Sequence, residues 1–389
     1  GALGSPVFYS KYGRYLLSGI PLDLSELFTD AYAQGARIHS NSWGGGDPGA
    51  YDTQCEQLDR FAWEHKDFLI LVAAGNDGSD RDRDGQVDPQ SVSSPGTAKN
   101  CLTIGACESQ RKGFSQASYG LWWPNDYAVP PLRDDRMANN PRQVAAFSSR
   151  GPTLDGRIKP DLVAPGTFIL STRSSRLAPN NMGWGSFPAS RSYFYNGGTS
   201  MATPLAAGAA ALVREYLRKV EKIENPSAAL IKAALVAGAQ RIYSNAPRNA
   251  IYDNEQGYGR INLDAVLSPQ SPTRAIFREI SPGLETGQNY LLPFQVESNA
   301  APLRITLAYT DYPGRSLVNN LNLILRSPSG RIYAGNAPAG KLALDNKNNL
   351  EVLQIKRPRP GTWQLQVSAA NVPHGPQDFA LVLLGHFNG

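Results

Sequence analysis

Cysteine is scarce, with three in 389 residues. That count excludes a disulfide-stapled scaffold and a Cys-rich zinc site. Histidine is nearly as rare: His39, His65, His374 and His386 are all there are, and none stand at metal-ligand spacing. Long apolar runs are missing too. The longest clean one, Leu205–Val213, falls well short of the about 20 residues that span a bilayer. Charge of one sign is not concentrated: 38 basic residues against 33 acidic leave a net +5, scattered along the chain. This argues against a nucleic-acid surface. The opening GALGSPVFYS has no initiator Met and no basic-then-apolar leader, so the chain reads as starting inside a longer one. What remains is a globular composition, 41% hydrophobic and 18% charged, with a core large enough to fold unaided.

Two styles of sequence follow one another. Residues 1–267 alternate apolar strand-like runs with helical patterns. Ala36–Trp43, Phe68–Ala74 and Leu102–Ala106 read as strands, and the continuous apolar run of the second suits a strand buried on both faces. Helical spacing precedes the first of them, capped by Asp23. Thr199–Val220 reads as a long Ala-rich helix. Asn225-Pro226 reads as the cap and start of another helix that ends near Gly238. This alternation predicts an α/β unit, a parallel sheet with helices on both faces. The segment Ser268-Pro269-Gln270-Ser271-Pro272 reads as a linker (268–272). Beyond it, residues 273–389 show only short strands: Tyr290–Val296, Leu303–Tyr309, Leu321–Arg326, Val352–Ile355, Trp363–Ser368 and Phe379–Leu384. Turns rich in Pro, Ser and Gly separate them, which predicts an all-β sandwich or jelly roll.

The sharpest chemical signal is Asn196-Gly197-Gly198-Thr199-Ser200-Met201-Ala202-Thr203-Pro204. Two glycines permit a tight turn before a helix, which places Ser200 where unpaired N–H groups and the dipole favour developing negative charge. A hydroxyl there suits attack on a carbonyl. Pro204 is expected in the first turn, where its missing N–H costs little.

This string resembles the nucleophile motif of subtilisin-like serine peptidases. Ala73-Ala74-Gly75-Asn76 resembles the same family's oxyanion segment, which implies that Asn76 donates to the tetrahedral intermediate. Asn41-Ser42-Trp43-Gly44 resembles the segment that pairs with substrate backbone and walls the first specificity pocket. Ser42, Trp43, Gly44, Ala73, Ala74 and Gly75 are thereby expected to face substrate. Phe147–Pro152 and Lys159–Gly166 resemble the family's long structural motifs. The whole chain is similar to the alkaline subgroup, whose peptidase domain is fused to a C-terminal β-sandwich. The resemblance implies a secreted, extracellular serine endopeptidase that acts on protein or peptide substrates.

One departure is plain. The family uses an Asp, a His and a Ser in that order, yet no Asp-Thr-Gly, Asp-Ser-Gly or His-Gly-Thr-His occurs here. Asp52-Thr53 runs into Gln54; His39 falls inside a strand, His65 at a helix end, and His374 and His386 in the β region. The resemblance implies that base and orienter lie outside this chain, in an N-terminal segment cut away or held as a separate chain. Without them this chain alone is expected to be nearly inactive. Three rival readings stand beside this one: a non-catalytic fragment or pseudopeptidase that only binds peptides, a sedolisin-type acid peptidase, and a β-sandwich adhesin with a vestigial first domain. Met201 and Asn76 speak against the sedolisin type. The adhesin leaves Asn76 and Ser200 unexplained.

A second constellation is Asp80, Asp82, Asp84, Gln86 and Asp88. Carboxylates at alternate positions, Gly85 at the sixth and Gln86 offering a carbonyl match the first half of a Ca²⁺ loop. Ser91 stands where a twelfth-position Glu would close it, so the motif is incomplete. Asn319, Asn320 and Asn322, with Asp311, Asp345 and Glu351, read either as a second calcium site or as turn chemistry. The aromatics Tyr119, Trp122, Trp123 and Tyr127 read either as a cleft rim or as packing. The cysteines are expected to be free.

Overall fold

The computed structural model describes every residue except 1–6, 10–14, 18–19, 244–246, 248–249, 339–340 and 388–389. A hairpin of β1 (Val7–Tyr9) and β2 (Tyr15–Leu17) precedes α1 (Leu24–Ala33). A parallel sheet then runs in the order β3 (Ile38–Asn41), β4 (Leu69–Ala73), β5 (Leu102–Cys107), β6 (Leu162–Pro165). Helix α2 (Thr53–Glu64) links β3 to β4, and the short α3 (Tyr119–Trp122) lies in the long excursion between β5 and β6. A small antiparallel sheet of β7 (Ile169–Thr172), β9 (Tyr193–Asn196) and β8 (Gly185–Ser186) leads into α4 (Thr199–Lys219). Helices α5 (Ala228–Gly238) and α6 (Asp264–Leu267) complete this part.

Period-two alternation along β4 explains the two helical layers. Ile70 and Val72 pack with Leu24 and Phe28 of α1 and Leu58 and Phe61 of α2. Leu69 and Leu71 face the other way, towards Ala202, Ala206 and Val213 of α4 and Leu235 of α5. Asp23 caps α1, its carboxylate accepting from Ser25 N at 2.9 Å. The cap of α5 is a correction: Ser227, not Asn225-Pro226, caps it, with Oγ accepting from Leu230 N at 3.0 Å. Ser227 can do so because its hydroxyl stands three residues before an unpaired helix N–H.

From Arg274 the chain is all β. One antiparallel sheet is ordered β10 (Arg274–Leu284), β17 (Gln377–Gly385), β12 (Leu303–Ala308), β15 (Leu350–Ile355). The other is ordered β11 (Asn289–Val296), β16 (Gly361–Asn371), β13 (Asn320–Arg326), β14 (Ile332–Ala334). Leu323, Leu365 and Val367 of one meet Ile305, Leu381 and Leu383 of the other in a single core. The opposite face of the first sheet, through Ala308, Val352, Ala380 and Val382, packs on α5. Every residue of α5 is buried, including Lys232. A helix that is apolar on nearly every side is an interior helix; its one charged side chain, Lys232, is paired with Asp161 at 3.2 Å, and α5 is enclosed between the parallel sheet and the β-sandwich.

Polar contacts join the same two parts. Lys99 Nζ is paired with Asp311 Oδ2 at 2.5 Å, both side chains fully buried, and donates to the carbonyls of Tyr312 and Ser316 at 2.8 Å. Asn100 exchanges two hydrogen bonds with the Asp311 backbone. Arg304 donates to the carbonyls of Val236 and Ala239 at the end of α5.

Candidate active site

Parallel strands place their loops at the carboxyl edge of the sheet, where open α/β folds carry their sites. Ser42 follows β3, Asn76 follows β4 and Gly166 follows β6. The amino end of α4 meets them there. Gly198 caps the helix at φ +131°, a conformation that a side chain would strain. Its N–H donates to Gly166 O at 2.7 Å. Ser200, the second residue of α4, is half-buried.

Asn76 is exposed, but its amide is fixed. Oδ1 accepts from Thr199 N at 2.9 Å and from Thr199 Oγ1 at 3.1 Å. With the oxygen so occupied, the amide NH2 is the free end. Gly198 lies against this amide: a Cβ there would stand 3.4 Å from both its polar atoms. The turn bearing Asn76 is itself held. Gly75 has φ +104°, its carbonyl accepts from Ser149 N at 3.0 Å, and Ser149 Oγ accepts from Asp77 N at 3.1 Å.

Ser200 Oγ donates to Ser42 O at 3.4 Å, and Ser42 Oγ donates to Ser200 O at 3.0 Å. Among the described residues no His, Asp or Glu is hydrogen-bonded to Ser200. His39 sits between Phe28 and Phe68, with ring centroids 5.2 and 6.0 Å away, and burial lowers its pKa. His65 stacks on Phe61 at 4.1 Å, His374 stacks on Tyr312 at 3.6 Å, and His386 bonds Ser298.

Of the remaining expected substrate-facing residues, Ala73 and Ala74 are buried behind Asn76 and Gly44 is exposed. Trp43 is partly buried against the α1–α2 core. Tyr119 and Tyr127 are fully buried; Trp122 and Trp123 pack with Phe147 and Trp184. These rings form a packed base, and Trp184 presses on Gly197, where a Cβ would meet its ring at 2.2 Å. Pro204 is a correction. It is the sixth residue of α4, which starts at Thr199 as the sequence reads, and a first turn of about four residues ends before it. Sequence reasoning also missed the hold of Thr199 on Asn76. The adjacency of Thr to Ser in the motif was its only trace.

A model of the subtilase family matches residues 20–259. The chain belongs to that family. Subtilases are serine peptidases, and relatives of that description match this one. Serine protease/ABC transporter B family protein tagB of Dictyostelium discoideum is 29% identical over 94% of this chain. Serine protease AprX of Bacillus subtilis is 35% identical over 43% of this chain and 31% of its own length. The solved prenylagaramide maturation protease PagA is 23% identical over 64% of this chain and 68% of that one, with TM-score 0.41. This subtilase spans 24% of the length of tagB.

The acidic loop is also ordered. Asp80, Asp82 and Asp84 each bring a carboxylate oxygen within 4.8 Å of the others. Asp80 is buried, accepting from Asp84 N and Gly85 N at 3.0 Å. Asp88 lies outside that group, its Oδ2 accepting from Arg81 N at 2.9 Å, and Gln86 donates to Asp84 through N and Nε2. In the β region, Asp311 is taken by Lys99, and Asp345 by Asn336 and Asn348. Cys55, Cys101 and Cys107 are free and buried.

Proposed function

We propose that this chain supplies the nucleophile and oxyanion donor of a serine endopeptidase. Ser200 Oγ would attack the scissile carbonyl, and the Asn76 amide NH2 would receive the oxyanion. The observation that carries this is the clamp of Thr199 on Asn76 Oδ1, which turns a donor outward one residue from Ser200. A preorganised donor of this kind acts on charge that develops only in the transition state.

The base and its orienter would come from a segment outside this chain, docked beside it. Two features support that. Among the described residues edge strand β3 has no strand paired to its outer side, and α4 presents Leu205 and Leu212 to solvent at 44% and 52% exposure. Until such a segment is present Ser200 is a weak nucleophile, and the cleft does no more than bind peptides. The hydrogen bond from Ser200 Oγ to Ser42 O, with no base hydrogen-bonded to Ser200 among the described residues, favours this second reading for the chain alone. A fluorogenic peptide assay tests both readings. The single 389-residue chain should be nearly silent, and the protein that includes the Asp and His motifs should turn over, with loss on Ser200→Ala. Turnover by the single chain would mean that a base lies within it.

We also propose that Asp80, Asp82 and Asp84 hold Ca²⁺. The convergence of three carboxylates on one point supports this, since hard cations take several oxygens at about 2.3–2.6 Å. Bound, the ion would neutralise the repulsion among them. The chain's own residues do the rest: backbone N–H groups of residues 84–86 aim the carboxylates.

A further inference from the structure

The reciprocal bonds between Ser42 and Ser200 have a second reading, independent of any contact with substrate. Ser42 Oγ donates to the backbone carbonyl of Ser200 at 3.0 Å, across 158 positions of sequence. In an α-helix that carbonyl accepts from the N–H of the residue four further on. Here that residue is Pro204, inside α4, and proline has no N–H. The α-helical donor is therefore missing at the carbonyl of the one residue that carries the nucleophile.

We infer that Ser42 is a positioning residue: its hydroxyl stands in for the N–H that Pro204 lacks, and so pins the first turn of α4 to the end of β3. The bond uses a backbone oxygen of Ser200, not its side chain. It therefore persists when Ser200 Oγ leaves the Ser42 carbonyl to attack or to become acylated. The other contacts at this corner act on neighbours: Gly166 O holds Gly198 N, and Asn76 holds Thr199. Among the described residues, it is Ser42 that holds residue 200 itself from the β3 side. Water can satisfy an orphaned carbonyl in an open cleft, but it does not fix the helix to the strand. A misplacement of about 1 Å at a nucleophile can cost about a hundredfold in rate.

The catalytic half of this inference rests on the proposed role of Ser200, so the test has two arms. The first needs no activity. In this 389-residue chain, Ser42→Ala should lower Tm by about 2 °C, as expected for one lost hydrogen bond. In a Pro204→Ala background, where residue 204 again donates, the same substitution should do almost nothing. Equal Tm losses in the two backgrounds would overturn the replacement of the proline donor by Ser42. The second arm uses the protein that includes the Asp and His motifs. Ser42→Ala should lower kcat about 10- to 100-fold with KM nearly unchanged. Ser42→Thr, which keeps the hydroxyl, should retain activity, and Pro204→Ala should rescue Ser42→Ala. A loss carried by KM, or a loss that Pro204→Ala leaves in place, would make Ser42 a substrate contact and overturn the positioning role. Absence of Ser200-dependent turnover in the parent overturns the proposed function and the positioning role together. The Tm cycle still decides the hydrogen bond.

Discussion

Glu108 shows how one buried side chain sets a pH response. It is fully buried beneath Tyr119, whose hydroxyl donates to Oε1 at 2.9 Å, and burial followed by the nearby Asp135 carboxylate pushes its pKa up to about 8. The unfolded chain releases this proton near pH 4.5, so between about pH 4.5 and 8 the folded state holds more protons than the unfolded state. Glu108 therefore stabilises most below that window and loses its contribution as pH rises through it. Comparing Tm against pH for parent and Glu108→Gln should show a slope that flattens in the variant. Asn76 makes the companion case. In the catalytically complete protein, Asn76→Leu should cost about 10²–10³ in kcat with little change in KM, the signature of a donor used only in the transition state.

At the scale of elements, the loop bearing Asp80, Asp82 and Asp84 should report its ion. Ca²⁺ at a hundredfold excess over Kd would add about 2.7 kcal/mol. EDTA should lower Tm and make residues 81–86 the first site of proteolytic nicking, and Asp82→Asn should blunt both effects. Unchanged Tm and cleavage would reduce the loop to a solvated turn. The elements also show what a sequence can carry. β4 was legible because it is a continuous apolar run, β5 because it is a short, mostly apolar one, and α4 because alanine runs through it. β10 was not: Pro282 and Gly283 interrupt it, and its register slips between Ile280 and Leu284. β7 and β9 are four residues each with exposed, partly polar faces, too short to show a period. Asn76 and Ser200 stood out through local strings. The tie between Ser42 and Ser200 did not, because the two residues lie 158 positions apart and only the fold brings the end of β3 to the start of α4.

For the molecule as a whole, the buried pair of Lys99 and Asp311 makes the two parts interdependent. Lys99→Met would leave the Asp311 carboxylate buried with only the Val318 and Asn319 N–H groups, at a cost of about 3–5 kcal/mol. Adding Asp311→Asn should recover much of that loss. Urea unfolding followed by both tryptophan fluorescence and far-UV signal should show one coincident transition in the parent. Two separated transitions would mean that the parts fold independently.

The enclosure of α5 also sets an order of events during synthesis. A ribosome releases Ala228–Gly238 long before it releases Gln377–Gly385, yet the helix is covered on one side by strands that include the latter. Until β17 emerges, a largely apolar helix has one face without cover. Nascent chains stalled before Gln377 should therefore stay sensitive to protease throughout their length, and resistance should appear only with the last strand. The subtilase part of this chain, although made first, is completed only with the last strand.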